Sequence, residues 1–193
     1  MIHNIFQVPV YQNELKIDNQ SLSKYCIQLS HKEKGRTISN IGGWQSNYFK
    51  ENNNSMLIKN LWPNVKKHAI QFGKKINVDV KGNLGSLWVN VNGYKDTNSL
   101  HHHPDCLVSG VYYIKTHEDC GNIRFYHPCH LLLSQDWKNM KHIPNEYNSY
   151  NSATWWYPSI EGMLYLFPSW LLHAVEPNLS KREKRISVSF NIS

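Results

Sequence analysis

Two hydrophobic periodicities divide the chain. Through about residue 84 the apolar positions mostly recur at helical spacing, after a short alternating run, "IFQVPVY", that Pro9 interrupts and that predicts an opening strand. The stretch "DNQSLSKYCIQLSHKEKG" starts on capping residues and ends at Gly35, the signature of a helix. A second helix is predicted in "NNSMLIKNLWPNVKKHAIQFGKKI". There Met56, Leu57, Leu61, Val65, Ala69 and Phe72 share a face, Asn53, Asn54 or Ser55 can cap, and Pro63 can introduce a kink. From Gly85 onward the period is two. "SLWVNVNGY", "LVSGVYYI", "NIRFYH", "GMLYLFP" and "RISVSFNI" are β-branched or aromatic segments bounded by Gly, Pro, Asn and Asp, and each reads as a strand.

Helices followed by many short strands predict an α+β fold in which the strands form a sandwich or barrel and the N-terminal helices pack on one sheet. At 193 residues one domain is expected, with a strand and supporting helices over 1–84 and a β core over 85–193. Residues 134–159 are long, polar and aromatic, an expected excursion from the barrel of the kind that flanks binding sites and can serve as a substrate lid.

Composition alters this picture only at histidine. A hydrophobic content of 40% with 18% charged residues is that of a globular protein, whereas eleven histidines are unusual. The net charge of +7 is spread over separated clusters ("HKEKGR", "VKKH", "GKK", "KREKR"), which suits solvated surface better than a nucleic-acid stripe. Four cysteines without CxxC spacing, and a start without signal-peptide character, predict a reducing cytoplasm. No apolar run approaches the roughly 20 residues that span a bilayer.

The candidate chemistry lies in "NSLHHHPDCLVSGVYYI". Side chains two apart on a strand share a face, so His101 and His103, or His103 and Asp105, could offer two ligands to one metal. His173 follows an apolar strand and a sharp "FPSW" turn, and supplies a third imidazole. Arg185 opens the next strand, with Ser187 on its face; a guanidinium fork suits a carboxylate, and a hydroxyl can assist it. Lys181, Arg182 and Lys184 belong to the preceding turn, and His68 reads as an ordinary helical histidine. Cys120, His127, Cys129 and His130 match no familiar zinc spacing.

The blocks "HHHPDCLVSGVYY" and "EGMLYLFPSWLLHAVEPNLSKREKRISVSFN" together resemble the iron(II)- and 2-oxoglutarate-dependent oxygenases, in particular a prolyl-4-hydroxylase-like group carrying "HxHP…SGVYY" and "FPSWLxH…RISxSFN". The resemblance implies a double-stranded β-helix, the jelly-roll of cupins, with iron(II), 2-oxoglutarate and dioxygen as cofactors. It also implies hydroxylation of a C–H bond of an unidentified small molecule or protein side chain, with release of succinate and carbon dioxide. By position in the family block, His101, His103 and His173 are the expected metal ligands, while the conventional triad would put Asp105 in place of His101. Arg185 and Ser187 are expected on the cosubstrate carboxylate. Asn92, with Asn90 on the same face, and Tyr113 are secondary cosubstrate contacts. A metal-binding cupin without turnover is the competing reading, and Arg185 speaks against it because mere metal binding needs no carboxylate clamp.

Overall fold

In the computed structural model, which describes residues 1–139 and 144–193, two antiparallel sheets face each other and helices cover one of them. Eleven strands are described: β1 Tyr11–Glu14, β2 Asn40–Ile41, β3 Trp44–Gln45, β4 Leu84–Asn92, β5 Thr97–His101, β6 Val108–Lys115, β7 Ile123–Tyr126, β8 Thr154–Tyr157, β9 Met163–Pro168, β10 His173–Val175 and β11 Arg185–Ile192. The major sheet has the order β1-β9-β6-β11-β4-β3 and the minor sheet β2-β5-β10-β7-β8. Helices α1 (Asn19–Lys32) and α2 (Trp62–Lys75) lie against the major sheet; α3 (His130–Asn139) precedes β8.

Local chemistry accounts for the helix ends. The Asp18 carboxylate accepts from Ser21 N–H at 3.0 Å and starts α1, and the basic residues His31 and Lys32 sit in its last turn, where the helix dipole favours them. Ser55 Oγ accepts from Ile58 N–H and opens a π-helical turn, Leu57–Leu61, that runs straight into α2. Pro63 follows directly in the first turn of α2, and the wide turn before it accommodates the N–H that its ring lacks. The expected kink is thus replaced by a wide turn just upstream.

The major sheet is buried on both faces, and the pleat sorts its residues. Leu87, Val89, Val91, Tyr112, Ile114, Leu164, Leu166, Ile186, Val188, Phe190 and Ile192 point toward the helices and join Leu22, Leu61, Val65, Ala69 and Phe72 in one core. Each such large side chain contributes roughly 1.5–3 kcal/mol on burial. The opposite face carries Val111, Tyr113, Tyr165 and Phe167, which meet Ile123, Phe125 and Leu171 of the other layer between the sheets. No described helix is long and apolar enough to cross a membrane.

Three expectations shift. The opening strand begins after Pro9, at Tyr11, because proline cannot donate to the ladder that Tyr11–Glu14 forms with β9. The 134–159 excursion contains the end of α3 and the strand β8, with residues 140–143 outside the described part. Strands β2, β3, β5 and β10 are two to five residues long, too short for a periodic pattern to reveal. His68 shares a 2.8 Å hydrogen bond with the Tyr11 hydroxyl, fastening β1 to α2.

Gly110 of β6 lies between β11 and β9 with no room for a side chain. A Cβ there would stand 2.4 Å from Phe190 Cε2 and 2.6 Å from the Tyr165 carbonyl oxygen, and the backbone oxygen cannot yield cheaply. Gly110→Ala is expected to destabilise by about 1–3 kcal/mol in urea unfolding. Gly93→Ala, whose Cβ meets only Asp96 Oδ2 at 3.4 Å, should stay within about 0.5 kcal/mol of wild type.

Candidate metal centre

Three short elements converge on one point. His101 ends β5, His173 begins β10, and the two are direct cross-strand partners. His103 leaves the strand but is held beside them, because its N–H donates to the Ser169 carbonyl at 3.0 Å. One ligating atom from each of His101, His103 and His173 lies within 4.8 Å of the other two; among the described residues no other set of three histidine, cysteine or acidic side chains does so. The ring centroids are 4.3 Å apart for His101 and His173, 5.0 Å for His101 and His103, and 5.1 Å for His103 and His173. Asp105 stands outside this group, exposed in the following turn with φ of 62°. The zinc-like candidates Cys120, His127, Cys129 and His130 form no such cluster.

Second contacts orient the rings. His101 Nδ1 lies 2.6 Å from the Ser99 carbonyl oxygen and His173 Nδ1 lies 2.8 Å from that of Leu171. A carbonyl only accepts, so in the neutral imidazoles the proton sits on Nδ1 and the lone pair on Nε2. Burial lowers all three basicities: His101 below the ordinary value, His103 down to about 4, and His173 well below the usual histidine range, with the neighbouring imidazoles adding to the effect. All three are therefore neutral at pH 7, the state a metal requires.

The inner face of the major sheet supplies the rest. Its register pairs Arg185 with Asn92 and Ser187 with Asn90 across β11 and β4, and Ser187 with Tyr113 across β11 and β6. Asn90, Tyr113 and Ser187 line a cavity of about 30 Å³ together with the three histidines; among the described residues no Asp, Glu, Lys or Arg lines it. Arg185 and Asn92 lie one pair further along the face, outside that lining. Asn90 lies beside the imidazoles, and Asn92, expected from the sequence as the nearer cosubstrate contact, lies beside Arg185.

Arg185 is almost wholly buried, and its Nη1 donates to the carbonyls of Cys120 and, at 2.9 Å, Glu176. Burial lowers its basicity while Tyr113 and the nearby acids oppose the shift, so it stays cationic. Its Nη2, the Tyr113 hydroxyl, Asn90 Oδ1 and both side-chain polar atoms of Asn92 are buried without hydrogen-bond partners. Orphaned polar groups are costly and rare, and their concentration here fits a polar, anionic guest next to a metal. The donor set thus suits iron(II) and a dicarboxylate. Space is tighter: about 30 Å³ accommodates an ion and a water or two, so a five-carbon diacid enters only as lining side chains move.

Comparison with known proteins gives a family and a fold. Residues 86–191 match the family described as "Putative 2OG-Fe(II) oxygenase". No curated protein matches the sequence. Among solved structures, the chain is similar to a Pseudomonas putida prolyl-4-hydroxylase, with a TM-score of 0.68 at 12% identity over 96% of this chain and 92% of that one. It is also similar to the non-heme α-ketoglutarate-dependent epimerase SnoN from nogalamycin biosynthesis, with a TM-score of 0.67 at 13% identity over 96% and 78% of the two chains. A third is the viral collagen prolyl hydroxylase of Paramecium bursaria Chlorella virus-1, with a TM-score of 0.56 at 11% identity over 95% and 94%. At these identities the likeness extends to the jelly-roll fold.

Metal content after single substitutions tests the ligand set. His101→Ala, His103→Ala and His173→Ala should each lower Fe(II) or Mn(II) stoichiometry from one per chain to near zero in equilibrium dialysis, while Asp105→Ala retains the metal. Retention by His101→Ala together with loss by Asp105→Ala would establish the conventional carboxylate triad instead.

Proposed function

The chain belongs to the 2OG-Fe(II) oxygenase family, and from that premise we propose that it hydroxylates a C–H bond of its substrate, with His101, His103 and His173 holding the iron and Arg185 fixing the distal carboxylate of 2-oxoglutarate. The observation that carries the proposal is the convergence of three neutral, desolvated imidazoles beside an inner face whose buried polar atoms lack partners. When bound, iron(II) with 2-oxoglutarate and dioxygen supplies an oxidant strong enough for an unactivated C–H bond, the cosubstrate leaving as succinate and carbon dioxide.

The protein's own residues do the positioning. With three imidazoles converging on one point, a bound iron would keep further positions free for the cosubstrate and dioxygen. None of the three is a carboxylate, so these residues would leave the charge of a bound divalent ion uncompensated and would favour a dianionic cosubstrate. Arg185 presents an unpaired Nη2, Tyr113 an unpaired hydroxyl and Ser187 a hydroxyl on the same face, which together can receive a carboxylate that water cannot reach. Asn90 is placed to hold polar atoms closer to the metal. The apolar wall of Val111, Ile123, Phe167 and Val175 limits the entry of water beside the histidines. We assign residues 1–84 the supporting role and 85–193 the catalytic core of one domain.

Anaerobic titration of the Fe(II)-loaded protein with 2-oxoglutarate should produce a visible metal-to-ligand charge-transfer band, and succinate should form slowly in air even without substrate. A protein that binds iron yet gives neither signal would be a metal-binding cupin. Arg185→Ala should weaken 2-oxoglutarate on the order of 2–5 kcal/mol with iron still bound, by analogy with other secluded charge pairs. Lys184→Ala, exposed one residue earlier, should leave that affinity unchanged.

A further inference from the structure

The polar row on the inner face of the major sheet does not stop at Asn90. Gln45 of β3 pairs with Asn90, Asn90 with Ser187 and Ser187 with Tyr113, so four polar side chains cross β3, β4, β11 and β6 in one line. The pleat shows which way Gln45 points: its neighbour Trp44 packs against the helix-covered core, so Gln45, only 2% exposed, faces the other sheet. A two-residue strand would be loosely held by its own ladder. Ser46 fixes it, its N–H donating to the Val89 carbonyl at 3.0 Å and its Oγ accepting from the Val89 N–H at 2.9 Å, while the Gln45 carbonyl accepts from the Arg36 N–H at 2.8 Å. Directly opposed side chains begin about 5 Å apart, which puts Gln45 one strand outward of Asn90 on the same surface. The cavity at the three histidines includes Asn90 and, from the other layer, Ser39 just before β2 and Asn98 of β5, so it extends toward the side of the barrel that β3 closes.

The unpartnered polar atoms on this face sort by type. Toward Arg185 they include donors, its own Nη2 and the Tyr113 hydroxyl, with Asn92 open at both ends; toward β3 they are the acceptors Asn90 Oδ1 and Gln45 Oε1. Asn90 Nδ2 already donates to Ser189 Oγ at 3.3 Å, so the oxygen is its free end. A 2-oxoglutarate dianion brings oxygens only. It can receive the donors, but it would meet the two amide oxygens acceptor to acceptor, and a buried acceptor without a donor is costly. The β3 end of the row is therefore matched to a different guest, one that donates. A cationic donor fits poorly there, because the buried Arg185 and a divalent ion at the histidines would both repel it.

We propose that Gln45 and Asn90 form a substrate subsite beside the metal centre, and that the substrate presents to their amide oxygens an uncharged N–H or O–H donor, an amide or a hydroxyl, close to its reacting carbon. The proposal rests on the oxygenase reading, since it assigns the substrate chemistry of that same site. Gln45 is the specificity-determining residue in it, and Asn90, which also lines the histidine cavity, joins the subsite to the metal.

The test uses matched probes that differ only in the donor. ¹⁹F NMR titrations of the Zn(II)- and 2-oxoglutarate-treated protein, which cannot turn over, compare trifluoroacetamide with its N,N-dimethyl form and trifluoroethanol with its methyl ether. At least one unmethylated probe should bind about fivefold or more tightly than its methylated partner, and the amide and alcohol arms tell which donor is preferred. Gln45→Met, of like length but without the oxygen, should remove that preference and melt no lower than the wild type, because it replaces an orphaned polar group by an apolar one. Gln71→Met, exposed on α2, should keep the preference. Mn(II) in place of zinc should broaden the bound fluorine signal through proximity. Absence of binding, or equal binding within each pair, as when water alone serves these oxygens, would overturn the proposal. So would a preference that survives Gln45→Met and thus reflects bulk, lack of broadening by Mn(II), or a Gln45→Met protein that melts below the wild type because a structural partner was lost. If Gln45→Met weakened 2-oxoglutarate as much as the probes, Gln45 would belong to the cosubstrate instead. The same titrations on metal-free protein keep the two readings apart: failure to bind iron and 2-oxoglutarate defeats the oxygenase assignment, while the Gln45-dependent preference still decides the subsite.

Discussion

Everything in this molecule depends on the register of β11 between β4 and β6. That strand sends Ile186, Val188, Phe190 and Ile192 into the helix-covered core and Arg185, Ser187 and Ser189 toward the opposite sheet. A slip of one residue would exchange the two sets, driving a guanidinium into hydrocarbon and aliphatic side chains into the cavity. Hydrophobic burial and site assembly are therefore one event. The energy that fixes the outer face also aims the polar atoms of the inner one.

The minor sheet has the opposite character. Its strands are short, and its contribution is to bring residues from distant parts of the chain into one row of side chains. Neither His101 nor His173 is held by a long ladder; backbone carbonyls two residues upstream in each case fix the rings. The result is a rigid apolar and polar platform on one side and a lightly built, histidine-bearing wall on the other.

Long elements with clear period were legible in the sequence. β4, β6, β9 and β11 follow their alternating segments, and α1 follows its cap at Asp18. Short strands were not, because two or three residues carry no period, and β8 was hidden in a segment whose Trp155 and Trp156 read as loop aromatics. Among the candidate site residues, the grouping of His101 and His103 with His173 depends on cross-strand pairing that only spacing within the resembled blocks could suggest. Asn90 and Asn92 share a face, and only the position of the cavity along β4 shows which of them lies beside the imidazoles.

The same brevity that concealed the outer strands has a colloidal consequence. Both sheets end on strands of two to four residues, β1 and β3 in one and β2 and β8 in the other, while the strands of eight or nine residues are kept inside. Unpaired backbone at a sheet edge is a template for another chain, and a long edge bearing tryptophans would be a strong one. At four residues, β8 can display Trp155 and Trp156 to solvent while offering too little ladder to nucleate growth between molecules. An open aromatic rim and resistance to edge-to-edge aggregation are thereby compatible in one short strand.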